Sequence, residues 1–326
     1  MRQTIMLSSV KNQLRRLFPF TCYPLIVLTL IGYSIFVLQQ GIDLGLAAFT
    51  SVLIIIAYFI IMERVIPFKT RWHPSKREWS RDGLCFILVI VYGAVSETLV
   101  RVAALHIAPL ENTMSLAQNT LLAILVGSFI GYWLHRLEHR HLLLWSFHGI
   151  HHRPNKVTVS NNSVVHFLEV LLSALVIQTT FLLLGFSAEG MFIAGQFTAL
   201  HGYFIHANVN IRMGWLNYIV ATPELHRFHH SIELKEAGNF GSDLSLWDQL
   251  FGSFFYRPDR SPIQVGVTKP HLFPSAFEVA KGILHPFRWF ISKHGNRPRY
   301  TRATQLFQEY DNEPRSTPST MDIRKR

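Results

Sequence analysis

Seventeen histidines occur in this chain of 326 residues, and twelve of them fall between His135 and His230. They form four clusters: His135-Arg-Leu-Glu-His139, His148-Gly-Ile-His151-His152, His201 with His206, and His226-Arg-Phe-His229-His230. Spacings of three and four residues place side chains on one helical face. The first, second and fourth of these motifs can therefore each grip one ion from a single helix end. Imidazole is a borderline ligand that suits iron, zinc, copper and nickel. So many imidazoles beside apolar segments are awkward to desolvate for structural reasons alone, and metal binding is the expected use. The three densest motifs supply eight imidazoles, His206 a ninth, and His201 beside it a further candidate. At four ligands per ion, that set serves two ions.

The elements that must hold these residues are apolar. Residues 17–42 and 44–62 carry no charge apart from Asp43 between them; residues 84–105 carry only Glu97 and Arg101, spaced to pair on one helix face; residues 116–134 are uncharged. A hydrocarbon core of ~30 Å needs about 20 helical residues, so four transmembrane helices are expected, the first two joined by a tight turn at 39–43. The basic N-terminus and the polar segment 63–82 face the cytoplasm by the positive-inside rule, and the fourth helix returns to that side just before His135. A shorter apolar hairpin spans 166–206 and turns at 187–190. Segment 258–274 reads as loop. Residues 275–293 read as an amphipathic helix, lying on the bilayer or packed on the cytoplasmic domain, and the last 30 residues as a mobile tail. The expected fold is all-α: an integral membrane bundle of about four transmembrane helices, a short hairpin and a cytoplasmic histidine-rich helical cap. Its regions are 1–134 (transmembrane), 135–257 (metal-binding, including the hairpin) and 258–326 (C-terminal segment).

Composition excludes several classes. Charged residues make up 16% and hydrophobic ones 49%, with mean hydropathy +0.22, which excludes a disordered soluble chain. The net charge of +11 sits in membrane-flanking loops and the tail, which disfavours a nucleic-acid partner. Cys22 and Cys85 lie in apolar runs and make neither a disulfide framework nor a cysteine zinc site. No cleavable signal peptide is read from the first apolar run.

From about Tyr132 to Phe255 the sequence resembles the fatty acid hydroxylase/sterol desaturase superfamily of membrane di-iron oxidases. The matching pieces are His135-Arg-x-x-His139, Leu144-Trp145-x-x-His148-x-x-His151-His152, His206-Ala-Asn208, Thr222-Pro223-Glu224-x-His226-Arg-x-His229-His230, and Asn239-Phe-Gly241 leading to Leu246-Trp247-Asp248-x-x-Phe251-Gly252. The resemblance implies two iron ions, dioxygen as co-substrate, and electrons from a reductase partner. It implies metal ligands at His135, His139, His148, His151, His152, His206, His226, His229 and His230, with His201 in the more variable third motif. His166 stands where relatives have Arg-Phe-His-Pro-x-Glu; here the Arg and Pro are missing, so it is either a ligand or a residue supporting one. His141 breaks the helical register and is not a ligand. Glu138, Glu169, Asp243 and Asp248 are candidates to orient imidazoles by accepting their second N–H, and Asn208 to hold a metal-bound water.

The expected function is a membrane lipid oxidase that hydroxylates or desaturates a fatty acyl chain, a sterol or a related lipid. No His-Pro-Gly-Gly haem motif occurs, so a separate donor is expected: cytochrome b5-like, ferredoxin or reductase. The expected location is the bacterial inner membrane or endoplasmic reticulum, with the metal site on the cytoplasmic side. The rival is a metal-binding or metal-transport protein, whose mark would be ionisable residues along a mid-membrane path. A zinc hydrolase would want a His-Glu-x-x-His pattern, which is absent.

Overall fold

The computed structural model describes residues 2–106 and 109–291, without the side chains of 2–16 and 289–291. Among the described residues the chain is helical, with two isolated β-bridges and no strand. Four helices are long and apolar enough to cross a membrane: α1 (Arg2–Gln40, apolar from Leu17), α2 (Leu44–Val65), α3 (Lys76–Ala104) and α4 (Leu116–Arg140). Asp43 caps α2 by accepting from the Leu46 N–H at 2.8 Å, and Gly41 (φ +64) makes the turn before it. This is the tight hairpin expected from the sequence.

The segment 63–82 is less of a loop than expected. Ser75 and Glu78 exchange hydrogen bonds in a capping box, and α3 starts at Lys76, inside the polar stretch. The charged residues there form the first turns of the helix, because a cap supplies the orphan N–H groups that a helix start leaves open.

α4 ends at His141, which is both its C-cap and the N-cap of α5 (Leu142–His152). The hairpin is α6 (Phe167–Leu183) and α7 (Ala188–His206). Its turn lies at 184–187, slightly earlier than expected, since Ser187 caps α7 on the Gly190 N–H. Gly185 has φ +66, and a Cβ there would lie 2.1 Å from the Leu110 carbonyl oxygen; glycine alone fits. After α7 come α8 (Pro223–His229), α9 (Leu246–Leu250) and α10 (Val279–Ile291). Segment 258–274 holds one 3-10 turn, Pro270–Leu272. α10 packs on α5, the second of the two expected placements, and leaves Leu284 and Phe287 exposed. The tail at 297–326 lies outside the described residues.

α7 is the axis of the bundle. On one side Leu200 and Phe204 join Cys22 and Ile26 of α1 and Ile55 and Phe59 of α2 in the main buried cluster. On the other, Ala194 packs with Ala123 of α4 and Phe181 of α6. α3 runs along α6. α4 and α7 therefore run in the same sense, and both deliver their last turns, with His135, His139 and His206, to one end.

Candidate metal centre

At that end nine histidines, all buried, come together in two adjoining groups. The first is His135 and His139 of α4, His148 and His152 of α5, and His229 of α8. The second is His151 of α5, His206 of α7, and His226 and His230 of α8 and its C-cap. Within each group the ligating atoms lie within 4.8 Å of one another. The groups touch: the His152 and His230 rings stack with centroids 4.2 Å apart.

The three-residue motifs do not act as units, contrary to the sequence expectation that each grips one ion. In α5 the i,i+4 pair His148 and His152 serves the first group and His151 the second. In α8 the division is reversed: His226 and His230 serve the second group and His229 the first. Successive residues point about 100° apart around a helix, so neighbours such as His151 and His152 diverge toward different centres.

The ring nitrogens away from the centre fix the tautomers. His135 Nδ1 donates to the Phe240 carbonyl at 2.7 Å, His148 Nδ1 to Glu169 Oε1 at 3.0 Å, His206 Nδ1 to Asn161 Oδ1 at 3.1 Å and His229 Nδ1 to the Gly238 carbonyl at 2.9 Å. Each of these rings turns a bare Nε2 inward.

The result is decisive at one contact. His135 Nε2 and His148 Nε2 face each other at 3.0 Å, and both rings have already placed their single proton on Nδ1. Two lone pairs at that distance repel unless a cation lies between them. A second proton on His148 is no remedy, since burial pushes that imidazole down to about 3. His229 Nε2 is buried with no hydrogen-bond partner. Two nitrogens ~2.1 Å from an ion and 3.0 Å apart subtend about 90°, nearer an octahedral than a tetrahedral site. The donor set therefore fits two transition-metal ions.

The supporting polar residues come from far along the chain. Asp248 accepts from the Phe240 and Gly241 N–H groups at 2.7 and 2.8 Å and from Ser253 Oγ at 2.7 Å, which holds the Phe240 carbonyl on His135. Asn239, at φ 60, donates to the Leu225 and Phe255 carbonyls and locks the same loop. Glu63 Oε1 accepts from the Val159 and Asn208 N–H groups, and so seats the 3-10 turn Val159–Ser163 that carries Asn161. The sequence reading missed Glu63 and Asn161. The available signal for Glu63 was its place as the first acid after an uncharged run.

Other candidates fall elsewhere. His201 is in neither group: its Nδ1 donates to the Phe197 carbonyl at 2.8 Å and its Nε2 accepts from the Tyr23 hydroxyl at 3.0 Å. It lies more than a helical turn from His206 and points back to α1. His166 accepts from the Leu168 N–H at the start of α6 and donates to the Ile283 carbonyl of α10 at 3.0 Å, so it caps one helix and anchors another. Asn208 turns its side chain to Lys69, accepting from its N–H and donating to its carbonyl. Glu138 Oε2 lies 3.5 Å from His148 Nδ1, farther than the Glu169 oxygen at 3.0 Å. Asp243 accepts from the Thr198 hydroxyl at 2.8 Å. Burial raises Asp243 and Asp248 to about 6.

A cavity of about 1090 Å³ opens from His135, His148, His151 and His206 and extends between α2, α3, α4, α6 and α7 to Asp43, Glu97 and Arg101 at their far ends. Its volume stands at the upper end of the range usual for ligand-binding cavities.

Ornithine lipid hydroxylase OlsE of Rhizobium tropici is 31% identical over 255 residues, which is 74% of this chain and 75% of that protein. The chain belongs to the fatty acid hydroxylase family. The family model matches residues 120–253, from the second turn of α4 through α9, and so takes in all nine gathered histidines. Alkylglycerol monooxygenase of Homo sapiens is 28% identical over 149 residues, 45% of this chain and 33% of that protein. No solved structure matches the chain.

Proposed function

We propose that this family member is a membrane-bound di-iron oxidase that hydroxylates or desaturates an unactivated C–H position of a lipid, with dioxygen and electrons from a separate donor protein. The observation that carries the reading is the pair of bare nitrogens, His135 Nε2 and His148 Nε2, at the head of a membrane-depth cavity. One iron would be held by His135, His139, His148, His152 and His229, the other by His151, His206, His226 and His230. Bound iron supplies the one-electron and dioxygen chemistry that no side chain can perform.

The protein's own part is placement. Phe240, Glu169, Asn161 and Gly238 hold four rings in the ligating tautomer. An all-imidazole set adds no negative charge, which keeps the ions electrophilic. The apolar walls exclude water and align the substrate chain with the histidine end. The relatives named for hydroxylation of ornithine lipids and oxygenation of alkylglycerols support a lipid substrate. The basic residues of 63–82 favour a cytoplasmic metal site in a bacterial inner membrane or endoplasmic reticulum, and suit an acidic cytochrome b5-like, ferredoxin or reductase donor.

The test is elemental analysis of the full chain, followed by reductant-dependent dioxygen uptake and mass spectrometry of lipids in nanodiscs. Two irons per chain and a lipid product gaining one oxygen or losing two hydrogens are expected. A native protein without iron, or lipids left unchanged by the iron-loaded, reduced protein, would overturn the proposal.

A further inference from the structure

A second hollow, separate from the large cavity, borders the histidine groups and touches different rings. The large cavity is bordered by His135, His148, His151, His206 and His226. The second, of about 50 Å³, is bordered by His139, His152 and His229, all of the first group, together with Trp145, Lys269 and Phe273. It has room for a few waters and none for a lipid. Its remaining walls come from residues 231–237 and 266–272, outside the helices that can cross a membrane, and Thr268 there is exposed. The first group therefore has a side turned away from the lipid cavity and toward the outer face of the cap.

Trp145 connects that side to the ligands. It stands three and seven residues before His148 and His152 and so shares their face of α5. Its indole centroid lies 5.1 Å from the His139 ring, 5.5 Å from His152 and, edge-on, 5.9 Å from Phe273. The indole is half-buried, so one ring reaches from the hollow to two ligand imidazoles. Phe240 also touches His135, His139 and His229, but it is buried. An electron crosses packed π-bonded atoms far more readily than a water-filled gap. The charge of this face suits an incoming acidic carrier: Lys269 stands in the wall, and Trp72 of the basic segment 63–82 packs on Val265, next to Gly266 of the hollow.

We infer that electrons enter the first histidine group through Trp145 from the side of this hollow, while the lipid occupies the other side. The inference rests on the reading of the chain as a di-iron oxidase and names the face its donor protein uses. In each transfer the donor's reduced centre loses one electron and a ferric ion held by the first group gains it; no bond forms or breaks. Trp145 bridges the gap without itself being oxidised. It acts through His139 and His152, and so is a positioning residue for the electron's path.

The experiment injects the electron at a chosen point. Cys22 and Cys85 are buried, so a ruthenium photoreductant can be tethered at Thr268→Cys, on the rim of the hollow, or at Asp259→Cys, exposed elsewhere on the cap. The full chain in nanodiscs is loaded with ferric iron, kept free of dioxygen and flashed, and absorbance reads the reduction of the iron. Reduction from Thr268→Cys should be faster than from Asp259→Cys by an order of magnitude or more. Trp145→Leu should slow the first by a similar factor, leave the second unchanged and keep the iron content. Trp145→Phe, which keeps a ring against His139 and His152, should recover part of the rate. Equal rates from the two labels in the chain with Trp145 intact overturn the inference, whatever the variants do. So does a Trp145→Leu chain reduced at full speed from Thr268→Cys, or slowed equally from both labels, since a merely structural role would act on both. Reduction through Trp145 with no oxidation of any lipid would instead remove the oxidase reading and leave this path standing.

Discussion

His148 donates its Nδ1–H to Glu169 Oε1 across 3.0 Å, and this one bond ties α5 to the first turn of α6 while turning His148 Nε2 toward His135 and His152. The ring is thus aimed by a residue 21 positions away. Replacing Glu169 by Ala should weaken metal binding by about 10- to 100-fold, the usual cost of losing a partner behind a ligand. Glu169→Gln, which keeps a carbonyl acceptor, should recover most of it. Iron titration of the purified variants measures both, and an Ala variant with wild-type affinity would show that the bond does not position the ligand.

His201 and His229 make a matched pair for the ligand assignment, since both are buried histidines at the same end of the bundle. His229→Ala should lose about half of the bound metal and all turnover. His201→Ala should keep full metal content, with a loss of about 1–2 kcal/mol of stability from the broken Tyr23 and Phe197 bonds. Elemental analysis and thermal unfolding separate the two outcomes; metal loss in His201→Ala would return that residue to the ligand set.

Asp243 gives a pH signature. Burial raises its pKa from 3.8 to about 6, against the bond from Thr198. A group raised on folding favours the native state below its unfolded pKa, and that contribution fades as pH climbs through the folded value. Asp243→Asn cannot titrate and keeps an acceptor for Thr198. The variant should therefore gain stability over wild type as pH rises from about 4 to 6 and hold that gain above, by at most about 3 kcal/mol. Thermal unfolding across this range checks it, and a difference that is flat with pH would mean Asp243 does not titrate there.

Gly131 lines the cavity, and a Cβ there meets nothing within 4 Å. Gly131→Leu should fit α4 without strain, improve helix propensity, and narrow the path beside Tyr132. Iron content should stay at the wild-type level while turnover of long-chain lipids falls about tenfold or more. Equal turnover of long and short chains by this variant would place the substrate elsewhere.

The sequence by itself determined what is local. Apolar run lengths gave the four long helices, because a helix that faces lipid must satisfy its own backbone and so shows as an unbroken stretch. Spacings of three and four marked His135, His139, His148, His151, His152, His226, His229 and His230 as clustered imidazoles, because that geometry belongs to a single helix. Ser75 as a cap was equally local, yet the charge of residues 76–82 hid it.

The tertiary structure alone decided how the imidazoles are shared out. Spacing fixes the angle between His151 and His152 but not which partner each one meets; that depends on how α5 and α8 lie against α4 and α7. The same limit covers His201, whose helix turns it to Tyr23, and His206, one turn further on, which the packing delivers to His151. The acceptors that aim the rings, Phe240, Gly238, Asn161 and Glu169, are mostly backbone or distant side chains. No spacing rule reaches across the loops between them, because those contacts exist only once the helices have packed.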